Sequence, residues 1–308
     1  MTITRRLTLL FGLFLSLALS GCAQNMIYGV VVEGYPKMAE RYADLTPVGS
    51  TDARIILYWP EKTFFEGHSI RMVVDGDNGS VEPLIGYRTA ELLDIPAGKY
   101  SIGIADNERK ITLQAQPGST YCFNAGEFKI WSSGKQTADN QMAEEPKLIP
   151  TETCVADFSK DDIRCGHKEC LVKTIVPKSS AHFQQYATDM DYDELQNEAR
   201  NFDIKNDISR IYITRRLYTL GMVRVGVDGN PEAKVESSSF VVYEVEPGEH
   251  TVVVAVGGPH NIVQAYRIST EPGGCYFFHS DAFKFLSGTE GKKLVMDYDL
   301  LEQGFYKQ

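Results

Sequence analysis

Two stretches of this chain, about 150 residues apart, carry the same landmarks in the same order, so any admissible fold must be one that can be built twice. The first stretch opens with Arg54-Ile55-Ile56-Leu57-Tyr58 and the second with Arg210-Ile211-Tyr212-Ile213. Ile70-Arg71-Met72-Val73-Val74-Asp75-Gly76 matches Val223-Arg224-Val225-Gly226-Val227-Asp228-Gly229 position by position. Asp-Gly after alternating apolar residues signals a hairpin turn in both. Leu93 to Ile102 parallels Tyr243 to Val252, which sets Tyr100 against His250. Pro117-Gly118, Tyr121, Phe123 and Phe128-Lys129 line up with Pro272-Gly273, Tyr276, Phe278 and Phe283-Lys284. Matched landmarks stay 150 to 156 residues apart, so the copies differ in their loops.

These segments read as strands. Ile70, Met72 and Val74 alternate with Arg71, Val73 and Asp75, and Val252, Val254 and Val256 alternate likewise, so one face of each strand seeks a core. Each copy offers six or seven such runs with no helix between consecutive strands. The expected fold is therefore mainly β: tandem antiparallel β-sandwich domains with a partly helical insert, a flattened barrel being the other way to close such sheets. The boundaries read as a first sandwich over 51–150, an insert over 151–207 and a second sandwich over 208–308. Within the insert, Phe183, Tyr186, Met190, Leu195, Ala199 and Phe202 have helical spacing, broken or restarted at Asp191 and Asp193. The Arg-Ile-Tyr opening, the Val-Asp-Gly turn, the Pro-Gly-x-His turn and the Pro-Gly-x-x-Tyr-Phe-Phe strand together resemble a small β domain of unknown function found in bacterial lipoproteins. That resemblance brings no activity with it.

Ahead of the repeat, Arg5 and Arg6 precede a largely apolar stretch from Leu7 to Leu19, the order of a secretory leader. Thirteen positions are too few to span a bilayer, which takes about 20 helical residues. Leu19-Ser20-Gly21-Cys22 resembles the lipobox of bacterial lipoproteins. The resemblance implies a signal peptide over 1–21, removed ahead of Cys22, whose thiol takes a diacylglyceryl group and whose new amino terminus is acylated with a fatty acid such as palmitate. Residues 22–50 then read as a lipidated tether, and several acyl chains hold where one holds only marginally. Ala23 and Gln24 follow the cysteine in place of the Asp that retains many such proteins at the inner membrane, which implies the outer membrane.

Without Arg5 and Arg6 the net charge falls from −10 to −12, a surface that repels nucleic acid and anionic headgroups. The six histidines, His68, His167, His182, His250, His260 and His279, sit in no motif that prepares a nucleophile, and no phosphate-cradling glycine loop is present. Asp75 and Asp228 suit tight turns better than a carboxylate pair. Arg71 and Arg224 suit a solvated face or a cross-strand ion pair. No catalytic residue, cofactor or metal site is assigned.

Five cysteines remain after Cys22, an odd number that leaves at least one thiol free or paired between chains. Cys122 and Cys275 both fall on the Tyr-Phe strand, but Thr120 is the position opposite Cys275, and both cysteines read as small buried hydrophobes. Among Cys154, Cys165 and Cys170 a local disulfide is expected, the sharper alternative being a soft-metal site with His167. Consecutive Tyr276-Phe277-Phe278 must point to both sheet faces. Either Phe283 to Leu286 covers the outward ring, or these aromatics mark a partner contact. The functional expectation is a membrane-anchored, non-enzymatic binding or structural module whose partners are envelope proteins or glycans. The alternative is a hydrolase, redox or metal-binding lipoprotein using the Cys/His insert.

Overall fold

The computed structural model describes residues 35–42, 45–47, 49–60, 69–132, 144–166, 170–177, 182–186, 189–205, 207–216, 223–229, 233–256 and 262–308. Residues 1–34, on which the expected leader and Cys22 fall, lie outside them. The first copy runs through helix α1 (Met38–Arg41), then strands β1 (Asp52–Tyr58), β2 (Ser69–Gly76), β3 (Gly79–Val81), β4 (Leu84–Gly86), β5 (Thr89–Pro96), β6 (Gly98–Ile104), β7 (Lys110–Ala115) and β8 (Thr120–Asn124). Helices α2 (Ala125–Ser132) and α3 (Thr151–Lys160) and strands β9 (Arg164–Cys165) and β10 (Val176–Pro177) follow. The second copy runs through β11 (Gln184–Gln185), α4 (Tyr192–Ala199), β12 (Ser209–Arg215), β13 (Val223–Val227), β14 (Ala233–Val235), β15 (Ser239–Val245), β16 (Gly248–Val256), β17 (Ile262–Thr270), β18 (Cys275–His279), β19 (Lys284–Leu286), α5 (Gly288–Asp297) and β20 (Asp299–Lys307).

The chain is mainly β, and each copy is a sandwich. In the first, the sheet β8-β1-β5-β9 faces the sheet β10-β3-β2-β6-β7, with β4 also on β2. In the second, β11-β20-β15-β12-β18-β19 faces β14-β13-β16-β17. Registers repeat across the copies. Arg54 stands between Asp94 and Thr120, and Arg210 between Glu244 and Cys275, so Thr120 and Cys275 are equivalent and Cys122 corresponds to Phe277. In each copy one sheet is mixed, because β1 runs parallel to β8 and β12 parallel to β18.

The first strand of each copy is buried along its whole length. Ala53, Ile55 and Leu57 face the sandwich interior, while Ile56 and Tyr58 pack outward against Met38, Cys154, Phe158 and Ile163. A nearly continuous apolar run is the sequence form of a strand covered on both faces. Tyr212 and Phe277 are covered in the same way by Leu195, Ala199 and Val295. Each fully buried side chain of this size contributes about 1.5–3 kcal/mol, so the outer layer is as much a core as the inner one.

That outer layer changes the reading of 151–207, which is not an insert. Arg164 pairs with Thr89 and Cys165 with Ala90 in parallel, and Asp299 pairs with Ser239 and Leu300 with Phe240 in the corresponding register. Helix α3 before β9 therefore answers to α5 before β20. At the front of each copy a short segment lies antiparallel to that last strand: Lys37 bridges Arg164, and Gln184 and Gln185 pair with Lys307 and Tyr306. Residues 151–177 complete the first copy and 182–207 begin the second. These elements escaped the sequence comparison because the flanking helices and two-residue strands have no shared motif, only a shared position.

Smaller departures have local causes. The hairpin turn after β2 is Asp77-Asn78, two residues beyond the Asp-Gly signal, because Gly76 still pairs with Gly79. The helical spacing before Phe202 yields a helix only from Tyr192, where the Asp191 side chain accepts a hydrogen bond from the Glu194 amide. Phe128 lies in α2, whereas Phe283 lies in a turn before β19.

Candidate functional site

A site shared by the two copies would form at their junction, and residues 170–177 fill it. Lys173 lies beside Leu93 at the edge of β5, its amide donating to Leu92 O and its carbonyl accepting from Asp94 N. One residue on, the Thr174 amide donates to Ala265 O of β17 at 2.9 Å. Two residues further, β10 pairs with β3. A single segment thus stitches the edges of both copies. Val176, Val253 and Ala265 bury a small apolar contact there, joined by Val263.

Charge complements that contact. Arg267 pairs with Asp52 across the junction. Lys173 meets Glu91 at 2.9 Å with both side chains almost wholly buried. The copies have diverged where they meet. The positions of Val253, Ala265 and Val263 are taken in the first copy by Gly103, Lys110 and Glu108, the last two exposed, so the first copy's outer edge does not offer the same surface. Chemically the junction is a weld, with its ionised groups already paired.

The sequence-marked residues are spread across the molecule. Asp228, in a left-handed backbone conformation, binds the Thr251 amide through Oδ1 at 2.7 Å and His250 Nδ1 through Oδ2 at 2.6 Å. His250 Nε2 lies 2.7 Å from Glu246 O. Both partners only accept, so both ring nitrogens donate and the imidazolium is the form that fits. Burial pushes the pKa of His250 down, but the Asp228 carboxylate, the Glu246 carbonyl and the charge of Glu249 outweigh it and hold the pKa above the usual histidine value. In the first copy Tyr100 takes this place, its hydroxyl donating to Pro96 O at 2.9 Å. Asp75 stays within β2, opposite Ser80 and Ser101. Arg71 pairs with Glu82 and Asp106, whereas Arg224 is exposed. Burial keeps the pKa of His279 low. His68, His167 and His260 lie outside the described residues.

The cysteines depart from expectation in one respect. Cys165 joins Cys170, a disulfide within the stretch read as the insert, but Cys154 joins Cys122, which was read as a small unpaired hydrophobe. The pairing follows from α3, which packs over the outward face of β1 and β8 and brings Cys154 onto Cys122, a contact invisible while 151–207 is read as separate. Cys154, Cys165 and Cys170 are therefore disulfide sulfurs, not thiolates a soft metal could claim. Among the described residues no group of three or more His, Cys, Asp or Glu is arranged to hold a metal. Cys275 is a half-buried free thiol whose pKa burial raises.

The aromatics Tyr276, Phe277 and Phe278 point both ways and are covered on both sides. Phe278 is buried in the sandwich interior, edge-on to Phe285 at 5.0 Å. Phe277 is buried on the outer face, stacked on Tyr212 at 5.0 Å and set against Phe202 and Gly291 of α5. The cover for Phe277 is thus α5 and the segment after α4, joined from the expected stretch Phe283 to Leu286 by Leu286, while Phe283 and Phe285 pack on the inner side. Tyr276 turns its hydroxyl back to accept from the Glu271 amide at 2.7 Å, as Tyr121 does from Gln116 at 2.9 Å. The Pro-Gly-x-x-Tyr pattern is a turn lock used twice, and a partner contact at these three residues is not supported.

Sequence reasoning passed over one end of the first sandwich. There Trp59, at the end of β1, meets Tyr87 edge-on at 6.3 Å, and Lys129 of α2 stands over the indole at 5.4 Å. Arg88, in a left-handed conformation, stands over Tyr87 at 5.5 Å, its amide donating to Trp59 O. Arg109 lies over Trp131 at 5.8 Å and donates to its carbonyl at 2.6 Å. The available signal was compositional: both tryptophans of the chain fall here. A scan against protein-family models finds no match to this chain, and a search of curated proteins finds no similar one.

Proposed function

We propose that the chain is a lipid-anchored lipoprotein of the bacterial outer membrane, serving as a non-enzymatic binding or structural module of the envelope. The observation that carries the reading is the pair of disulfides, Cys122–Cys154 and Cys165–Cys170, in a chain whose leader ends in Leu19-Ser20-Gly21-Cys22. Disulfides persist in exported proteins and are rare where the cytosol keeps thiols reduced. Among the described residues no helix is long and apolar enough to cross a membrane. The binding role rather than catalysis draws support from the titratable groups His250, Asp228, Glu91 and Lys173, each tied to a structural partner.

The test is fractionation of a Gram-negative host producing the full chain. Wild type should incorporate labelled palmitate and sediment with outer membranes, whereas Cys22→Ser should be released in soluble, folded form. A Cys22→Ser protein that still sediments with membranes, or an unlabelled soluble wild type, would sink the reading.

A further inference from the structure

Nine buried side-chain polar atoms among the described residues lack a hydrogen-bond partner. Three of them, on Asp162, Lys173 and Arg215, belong to ion-paired residues. Of the six left, four gather at one end of the first sandwich: Trp59 Nε1, Tyr87 Oη, Arg88 Nε and Ser132 Oγ. Buried polar groups are ordinarily satisfied, and each one left alone costs about 1–3 kcal/mol, so four in one place call for an explanation.

Their surroundings describe what would satisfy them. Trp59 is wholly buried, and a Cβ at Gly126 would stand 3.1 Å from both its Nε1 and the Asn124 Oδ1, so the bare glycine lets α2 lie close against the indole. Gly126 and Lys129, three residues apart along α2, both meet Trp59, and Ser132 ends the same helix with its carbonyl accepting from Asn107 Nδ2 at 3.4 Å. Tyr87, Arg88, Lys129 and Trp131 are half-buried and form the outer layer. Trp59 Nε1 and Arg88 Nε can only donate, and the two hydroxyls can donate. Arg88, Arg109 and Lys129 add positive charge on a chain of net charge −10. The corresponding end of the second copy is closed instead: Arg215, which takes the place of Trp59, pairs with Asp281 and donates to Val235 O at 2.8 Å.

From this geometry we infer that the end of the first sandwich built by Trp59, Tyr87, Arg88, Lys129, Trp131 and Ser132 binds an anionic sugar. A carboxylate-bearing saccharide supplies isolated acceptors for isolated donors, negative charge for the cations, and flat C–H faces for the rings of Tyr87 and Trp131. An extended peptide would need a free sheet edge to add to, whereas this end presents strand termini and the last turn of a helix. The ligand displaces the Lys129 ammonium from the Trp59 face and takes up the donors beneath it. The site rests on the binding reading above and gives it a ligand class. Fractionation and sugar binding are independent readouts, so either can fail while the other stands.

Trp59 and Trp131 are the protein's two tryptophans, so intrinsic fluorescence reports on this end alone. Detergent-solubilised full chain should show a saturable fluorescence change with trigalacturonate, at a Kd no weaker than about 1 mM. Neither neutral maltotriose nor inorganic phosphate should reproduce it. Arg88→Gln and Lys129→Gln, two half-buried positions, should each weaken the response about tenfold or more while leaving the near-ultraviolet circular dichroism unchanged. The inference is overturned by the absence of a saturable change up to about 10 mM. It is equally overturned by a matching response to maltotriose or phosphate, or by variants that fold and bind as wild type does.

Discussion

Arg54 meets Asp94 through two parallel hydrogen bonds, Nε to Oδ1 at 2.7 Å and a terminal guanidinium nitrogen to Oδ2 at 2.8 Å, with both side chains almost wholly buried. The pair lies on the outward face of a sheet, where the chain's own outer layer covers it. Arg210 repeats the arrangement with Glu244 at 2.9 Å and adds Glu198 of α4 at 2.6 Å.

Removing one partner of such a pair strands a charge in a covered site. Arg54→Ala or Asp94→Asn should lower stability by about 3–5 kcal/mol in urea unfolding. Replacing both with apolar residues of similar size, Arg54→Met with Asp94→Leu, should cost far less than either single change. Equal losses in the single and double variants would show that the pair is not what those side chains contribute.

His250 gives the second copy a pH dependence that Tyr100 denies the first. Its pKa in the folded chain is raised above the unfolded value of about 6.5. The imidazolium therefore contributes its full stability below about pH 6.5, and that contribution is lost as pH rises through the folded pKa. His250→Tyr should flatten the pH profile of urea midpoints on the alkaline side while leaving the profile of Tyr100→Phe sloped. An unchanged slope in His250→Tyr would assign the titration elsewhere.

Thiol counting tests the cysteine pairing directly. Unreduced protein unfolded in guanidinium, with Cys22 blocked by its lipid or replaced by Ser, should yield one reactive thiol per chain, from Cys275. Peptide mapping should recover Cys122 with Cys154 and Cys165 with Cys170. Losing Cys122–Cys154, which spans 32 residues, should cost about 2–4 kcal/mol, more than losing the five-residue Cys165–Cys170 link. Three or five reactive thiols would reject the pairing.

Gly79 is the point at which β10 comes closest to β3. Its backbone lies at φ +152°, and a Cβ there would collide with the Val176 carbonyl. Gly79→Ala should loosen the stitch between the copies at a cost of about 1–3 kcal/mol. Hydrogen exchange should quicken at the Thr174 amide while the β1–β5 ladder keeps its protection. Unaltered exchange at Thr174 would mean that the segment holds the junction without β3.

The inner sandwich of each copy was legible because it is written in alternation and turn residues, such as Ile70 to Val74 and Val252 to Val256, whose counterparts recur 150 to 156 residues away. The outer layer was not, because α3 and α5 are related by where they stand and not by what they contain. Reading 151–207 as an insert followed from that, and so did missing the Cys122–Cys154 link, whose two halves fall on either side of the supposed boundary. The end of the sandwich around Trp59 was hidden for a different reason. Its residues come from β1, from the turn before β5 and from α2, and no spacing in the sequence announces that Gly86 to Thr89 folds back beside Trp59.

Each copy is fastened by its first and last segments lying side by side: Lys37 against Arg164, and Gln184 and Gln185 against Lys307 and Tyr306. This sets an order on how the chain is made. The first copy has all its strands once residue 177 has emerged and can close while the second is still being synthesised. The second has only Leu195, Ala199 and Phe202 over Tyr212 and Phe277 until Val295 of α5 and Phe305 of β20 arrive to complete the cover. The vulnerable interval in the making of this fold is therefore the wait for β20, and deleting Asp299–Lys307 should cripple the second copy while leaving the first intact.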